Sequence, residues 1–119
     1  MNRKALGELG ERWARRHLER NGYRIRETNF RCREGEIDII AEHEGCLVFV
    51  EVRTKTGSGF GTPEESITAA KQERLAAVAA SYLQAREDMP KEWRIDVVAI
   101  EVSPRGRVVR TELIQNAVS

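Results

Sequence analysis

The chain has 119 residues, 33% of them charged and 40% hydrophobic, and a formal net charge of +1. That length supports one domain, residues 1–119, around one core, and the near-zero charge gives no whole-protein signature of nucleic-acid binding. Cys32 and Cys46 lack Cys-x-x-Cys spacing, and His17 and His43 lack zinc-type partners, so a disulfide framework and a zinc site are both excluded. No run approaches the ~18 apolar residues of a membrane span and no signal-peptide core opens the chain, so the protein is expected in the cytoplasm with reduced thiols and no membrane partner.

Charge is unevenly spread. Residues 1 to 33 carry ten Lys or Arg against four Glu, a local +6, which leaves −5 for the rest. Such a segment fits either an ordinary solvated helix face or a phosphate backbone, and Arg12, Arg15, Arg16, Arg31 and Arg33 are its candidate nucleic-acid contacts.

The first predicted element is a helix over Lys4 to Asn21, with Leu6, Gly10, Trp13, Ala14, His17 and Leu18 at helical spacing and Asn21-Gly22 as its stop. Glu11 borders the apolar face, in the column of Gly7, Ala14 and Leu18, whereas Arg12, Arg15, Arg16 and Glu19 point away. Three strands follow, at about Tyr23 to Phe30, Glu36 to Glu42 and Cys46 to Lys55. Strand alternation puts Glu36, Asp38 and Ile40 on one face, and Phe49, Glu51, Arg53 and Lys55 on one face of the next.

A glycine-rich loop occupies Thr56 to Gly61, without the Gly-Lys-Ser or Gly-Lys-Thr ending of a phosphate-binding loop. Thr62-Pro63-Glu64-Glu65 has the form of a capping box with Pro at the first helical position. The helix it opens is expected to break near Thr68, restart and run to about Ala85 on a stripe of Leu75, Val78, Ala79, Tyr82 and Leu83. Lys71 and Gln72 extend that stripe toward the sheet, either as simple flanks or as members of a site. Trp93 to Val102 is a strand apolar on both faces, interrupted by Asp96, and Val108 to Ile114 is the last strand.

The informative pair is Asp38 and Glu51, acidic groups inside apolar strand patterns where such residues are depleted. If Glu44-Gly45 is a two-residue hairpin turn, His43 faces Cys46, Ile40 faces Phe49, and Asp38 falls opposite Glu51. Opposed carboxylates repel. Either basic neighbours such as Arg53 and Lys55 pair with them, or a divalent cation lies between them. Magnesium takes one or two carboxylates and keeps several waters, which suits an Asp and a Glu across a hairpin. With Arg53 two residues beyond Glu51, the three have the D…E-x-K nuclease spacing, in which a metal activates water and a cation stabilises the phosphoryl transition state.

Gly7-Glu8-Leu9-Gly10-Glu11, Gly35-Glu36-Ile37-Asp38, Phe49-Val50-Glu51-Val52-Arg53 and Lys71-Gln72 together resemble the YraN family of uncharacterised bacterial proteins. That family is similar in turn to archaeal-type Holliday-junction resolvases of the PD-(D/E)xK, restriction-endonuclease-like superfamily. The resemblance implies an α/β fold with an αβββαβ core and a central mixed sheet flanked by helices. It implies a supporting carboxylate at Glu11, metal ligands at Asp38 and Glu51, the motif's basic residue at Arg53, and Gln72 and Lys71 beside the site. Arg53 departs from the superfamily's Lys. Arg clamps phosphate but is a poor proton acceptor, so Lys55 or Lys71 is an alternative source of the ammonium.

The expectation is a Mg2+- or Mn2+-dependent endonuclease of DNA, branched or damaged DNA included. Its catalytic residues are Glu11, Asp38, Glu51 and Arg53, supported by Glu36, Lys55, Lys71 and Gln72, and a second copy of the chain is admitted as a partner. The alternatives are a non-catalytic nucleic-acid-binding module on the same fold and a protein-interaction domain.

Overall fold

The computed structural model describes residues 2–57 and 61–117. Helix α1 spans Arg3–Arg20. Asn2 caps it, with Oδ1 accepting the Ala5 N–H at 2.8 Å, and the chain leaves it through Asn21 and Gly22, the latter at φ +84°. Leu6, Leu9, Trp13, Ala14 and Leu18 turn toward the sheet. At Gly10 a Cβ would stand 2.0 Å from Thr54 Oγ1, so α1 crosses the sheet at a distance only glycine permits.

Strands β1 (Arg24–Cys32), β2 (Gly35–His43), β3 (Cys46–Thr56), β4 (Trp93–Val102) and β5 (Val108–Ile114) form one sheet in chain order. Neighbours are antiparallel except β3 and β4, which run parallel and are joined by a crossover. The crossover holds a 3-10 turn at Pro63–Ser66 and helix α2 at Ala69–Gln84. Ile67 is extended between them, and Thr68 Oγ1 accepts the Lys71 N–H at 3.2 Å to restart the helix, so the expected break falls where Thr68 can act as a cap. Of the glycine-rich loop, residues 58–60 lie outside the described residues.

Two apolar layers sandwich the sheet. Ile39, Ala41, Val48, Val50, Val98 and Ile100 pack with Ala14 and Leu18 of α1, while Ile37, Ile40, Leu47, Phe49 and Ile95 pack with Leu75, Val78, Ala79 and Tyr82 of α2. Each fully buried Val, Leu, Ile or Phe side chain among them contributes about 1.5–3 kcal/mol, so the β2–β3 hairpin is anchored on both sides. Its turn carries Glu44 at φ 49° and Gly45 at φ 77°, the two positive values of a type I′ hairpin, and its register pairs His43 with Cys46 and Ile40 with Phe49.

Regular alternation fails on β1 at a register shift between Ile25 and Glu27 and again, further along, at a place that β1 and β2 share. Ile37 and Ile40 lie three apart yet enter the same layer against α2. On β1, Glu27 accepts the Tyr82 hydroxyl at 2.9 Å and Phe30 meets the same ring edge-on at 5.0 Å, again three residues apart. The reversal lies at Asn29 and Asp38, the one cross-strand position between Thr28–Ile39 and Phe30–Ile37 that does not pair. Glu36, Asp38 and Ile40 therefore do not share a face, because Asn29, at φ 54°, turns β1 out of its pleat at that point. Buried Asp96 has a structural account: it accepts hydrogen bonds from the Tyr23 hydroxyl at 2.7 Å, Arg94 Nε at 2.9 Å and the Asn116 N–H at 2.8 Å.

Candidate functional site

Strands β2 and β3 stay paired from His43–Cys46 to Ile39–Val50, where the ladder ends. One step further the same register places Asp38 across from Glu51. The backbone pairing is replaced there by a side chain: Asp38 Oδ2 accepts the Val52 N–H at 2.8 Å. That bond satisfies an amide left without a carbonyl where the strands part.

The Glu51 side chain is 14% exposed. Its pKa is pushed up to about 8, first by burial, then by a hydrogen bond to Asp38 and by that carboxylate's charge; Arg53 and Lys71 pull it down but do not prevail. At neutral pH Glu51 thus holds its proton in the absence of a cation. The donor set is oxygen only, and among the described residues no group of three or more His, Cys, Asp or Glu side chains is gathered to hold a metal. Two carboxylates fit an ion that retains several waters, as magnesium and manganese do, rather than a fully caged one.

Around the pair opens a cleft of about 1090 Å³, bounded by the N-terminal half of α1, the end of β3, the 3-10 turn and the first turn of α2. Asp38 and Glu11 line it, with Arg3, Lys4, Arg53, Lys55 and Lys71 as its cations. Glu11 is half-buried, and its Oε1 accepts from Asn29 Nδ2 at 3.0 Å. Glu51 is not among the lining residues and meets the cleft through Asp38.

Arg53 is fixed rather than loose. Its Nε donates to Ser66 Oγ at 2.9 Å, its NH2 lies 3.4 Å from the Ser66 carbonyl oxygen, and its NH1 lies 3.7 Å from Glu51 Oε2. Ser66 belongs to the 3-10 turn, which Glu64 secures to β5 through a two-armed pair with Arg110 at 2.8 and 3.1 Å. That pairing holds the Glu64 carboxyl down at about 2. Lys55, from the same strand face as Arg53, donates to the Gly61 carbonyl at 2.8 Å, and both residues line the cleft. Lys71 follows the Thr68 cap at the start of α2, where the chain's restart aims it at the site.

The remaining candidates lie elsewhere. Glu36 is exposed and pairs with Arg31 at 3.0 Å, because the pleat reversal at Asp38 turns it away from the cleft that it was expected to support. Gln72 is half-buried beside Lys71 but does not line the cleft. Arg12, Arg15 and Arg16 are exposed on the outer face of α1, Arg33 is exposed in the β1–β2 turn, and none of these or Arg31 lines the cleft. The sequence reading missed Arg3, Lys4 and Ser66. The first two were findable, since Lys4, Glu8 and Glu11 recur at i, i+4 and i+7 on α1; Ser66 had no signal, since its role follows from the 3-10 turn.

Residues 10–100 match the family model described as Uncharacterised protein family UPF0102. Similar proteins include a UPF0102 protein of Symbiobacterium thermophilum, 52% identical over 112 residues that make 94% of each chain. A UPF0102 protein of Roseiflexus castenholzii is 51% identical over 118 residues, 98% of this chain and 94% of that one. One from Clavibacter michiganensis is 45% identical over 112 residues, 94% of each.

Proposed function

Since the chain belongs to the uncharacterised family UPF0102, whose description assigns no activity, we propose from its site that it is a Mg2+- or Mn2+-dependent endonuclease acting on DNA. The observation that carries this reading is the opposed pair Asp38 and Glu51, with Glu51 pushed up to about 8 by burial first and by Asp38 second, at a cleft with five basic side chains. A bare carboxylate pair repels, and a divalent cation converts that repulsion into affinity.

Asp38 and Glu51 would hold the ion. When bound it would activate water and neutralise charge on a phosphodiester. The chain's own groups do the rest. Arg53, held by Ser66 and Glu51, presents a rigid planar donor set for a phosphate. Lys71 and Lys55 offer compact charges on either side, and Arg3 and Lys4 extend the basic lining along α1, where a backbone entering the cleft would pass. Glu11 adds an acceptor on the α1 side of Asp38.

A second reading is favoured by one contact. Arg53 donates to Ser66 and lies against Glu51 rather than reaching freely into the cleft, as suits a binding module that keeps the nuclease fold without cutting. Cleavage decides between them: incubation of end-labelled linear and branched duplexes with Mg2+ or Mn2+ should give nicked product with the wild-type protein and none with Asp38→Asn. Retained DNA binding with no product under either metal would leave the binding module as the better reading.

A further inference from the structure

The position across the sheet from Asp38 is built in an unusual way. Asn29 stands between the pairs Thr28–Ile39 and Phe30–Ile37, and it alone is skipped with Asp38 in that stretch. Its backbone is left-handed, φ 54°. Asn tolerates that region, whereas a β-branched or bulky residue there is an outlier. Such conformations persist inside a strand only where the surroundings impose them, and they gather at functional sites.

Two consequences meet at the cleft. The break it marks falls beside Asp38, and the Asp38 carboxylate reaches the Val52 N–H at 2.8 Å, beyond the last backbone pair Ile39–Val50. The Asn29 amide meanwhile donates to Glu11 Oε1 at 3.0 Å. Glycine would adopt this φ without strain if the turn were all that was needed. Asparagine adds a donor, and that donor is directed at the one α1 carboxylate beside the site.

We infer that Asn29 is the positioning residue of this cleft. Its left-handed backbone sets Asp38 against β3, and its side-chain amide holds Glu11 over the same opening. The kinetic consequence rests on the nuclease reading, and the effect on geometry does not.

Three variants separate these roles. Asn29→Gly keeps the backbone and removes the amide, Asn29→Asp keeps the backbone and faces Glu11 with a like charge, and Asn29→Val forbids the backbone. In metal-free protein, hydrogen exchange at the Val52 amide should match wild type in the first two variants and speed up about 10-fold or more in Asn29→Val, with Val48 and Val50 in the intact ladder as references. Unchanged Val52 protection in Asn29→Val would overturn the backbone role. If that variant does not fold, Asn29→Ala meets the same restriction with less bulk and is read the same way. In Mn2+-dependent cleavage of a branched duplex, Asn29→Gly should lower kcat about 10-fold with KM unchanged, as loss of an outer partner does, and Asn29→Asp should lower it further. Wild-type kcat in both would overturn the amide role. Should the wild-type protein itself cut nothing, the nuclease reading fails while the exchange experiment still decides on Asn29.

Discussion

Replacing Glu51 by Gln should make the metal-free protein more stable, although Glu51 lies at the centre of the site. The folded state lifts its carboxyl from 4.5 to about 8. A group raised in this way binds more protons folded than unfolded between those two values, so its contribution to stability falls as pH rises through that window and levels off above it. At 1.36 kcal/mol per unit, the loss is about 1 kcal/mol at pH 5 and about 3 kcal/mol at pH 7. Gln keeps the shape, donates a hydrogen bond to Asp38 and carries no charge, so Glu51→Gln should recover up to that amount. For a domain of this size the melting temperature would rise by roughly 10 °C at pH 7 and by much less at pH 5. Thermal and urea melts in chelator from pH 5 to pH 8 measure it. A variant less stable than wild type at pH 7, or a difference that does not change with pH, would refute the reasoning. Millimolar Mn2+ should then reverse the order, because only the wild type has both ligands and gains stability by mass action.

Further outcomes follow from named contacts. Gly10→Ala drives a methyl into Thr54 Oγ1 and should cost about 1–3 kcal/mol by overpacking, read as a lower urea midpoint; an unchanged midpoint would contradict the close crossing of α1. Reversing Arg3 and Lys4 to Glu should weaken DNA binding and flatten its dependence on salt by a slope of about 2, more than reversing Arg15 and Arg16; equal losses in anisotropy titrations would place the interface on the outer face of α1. Arg53→Lys keeps a charge near Glu51 but loses the Ser66 fork, so its cleavage rate should fall about 10-fold and that of Arg53→Ala about 100-fold. Wild-type rates in both would remove Arg53 from the chemistry.

What the sequence made legible was whatever depends on neighbours in the chain. The Glu44-Gly45 turn and the Ile40–Phe49 pair were readable because a type I′ turn and a period of two leave one register with both faces apolar. The break before α2 was readable from Thr68, a residue that serves a helix better as a cap than as its interior. The pleat reversal at Asn29 was not, because one left-handed residue inside a strand leaves no periodic trace and Glu36 inherits the error by parity. Nor was the surrounding of Arg53: Ser66 reaches it only because Arg110 pins the 3-10 turn from β5, a contact between residues 46 apart. Arg3 and Lys4 were within reach of helical spacing but were passed over, since their charge was counted with the whole basic segment and their place on the cleft depends on where α1 crosses β3 at Gly10.

The central claim is that Asp38 and Glu51 share one divalent ion, and a crystal structure of the protein grown with Mn2+ tests it most directly through the metal's anomalous signal. The account predicts one strong peak bridging the two carboxylates, with oxygen ligands at roughly 2.1–2.2 Å and most remaining positions filled by water. It also predicts that the peak vanishes in Asp38→Asn. Carboxylates still hydrogen-bonded to each other at millimolar Mn2+, with no ion between them, would contradict it.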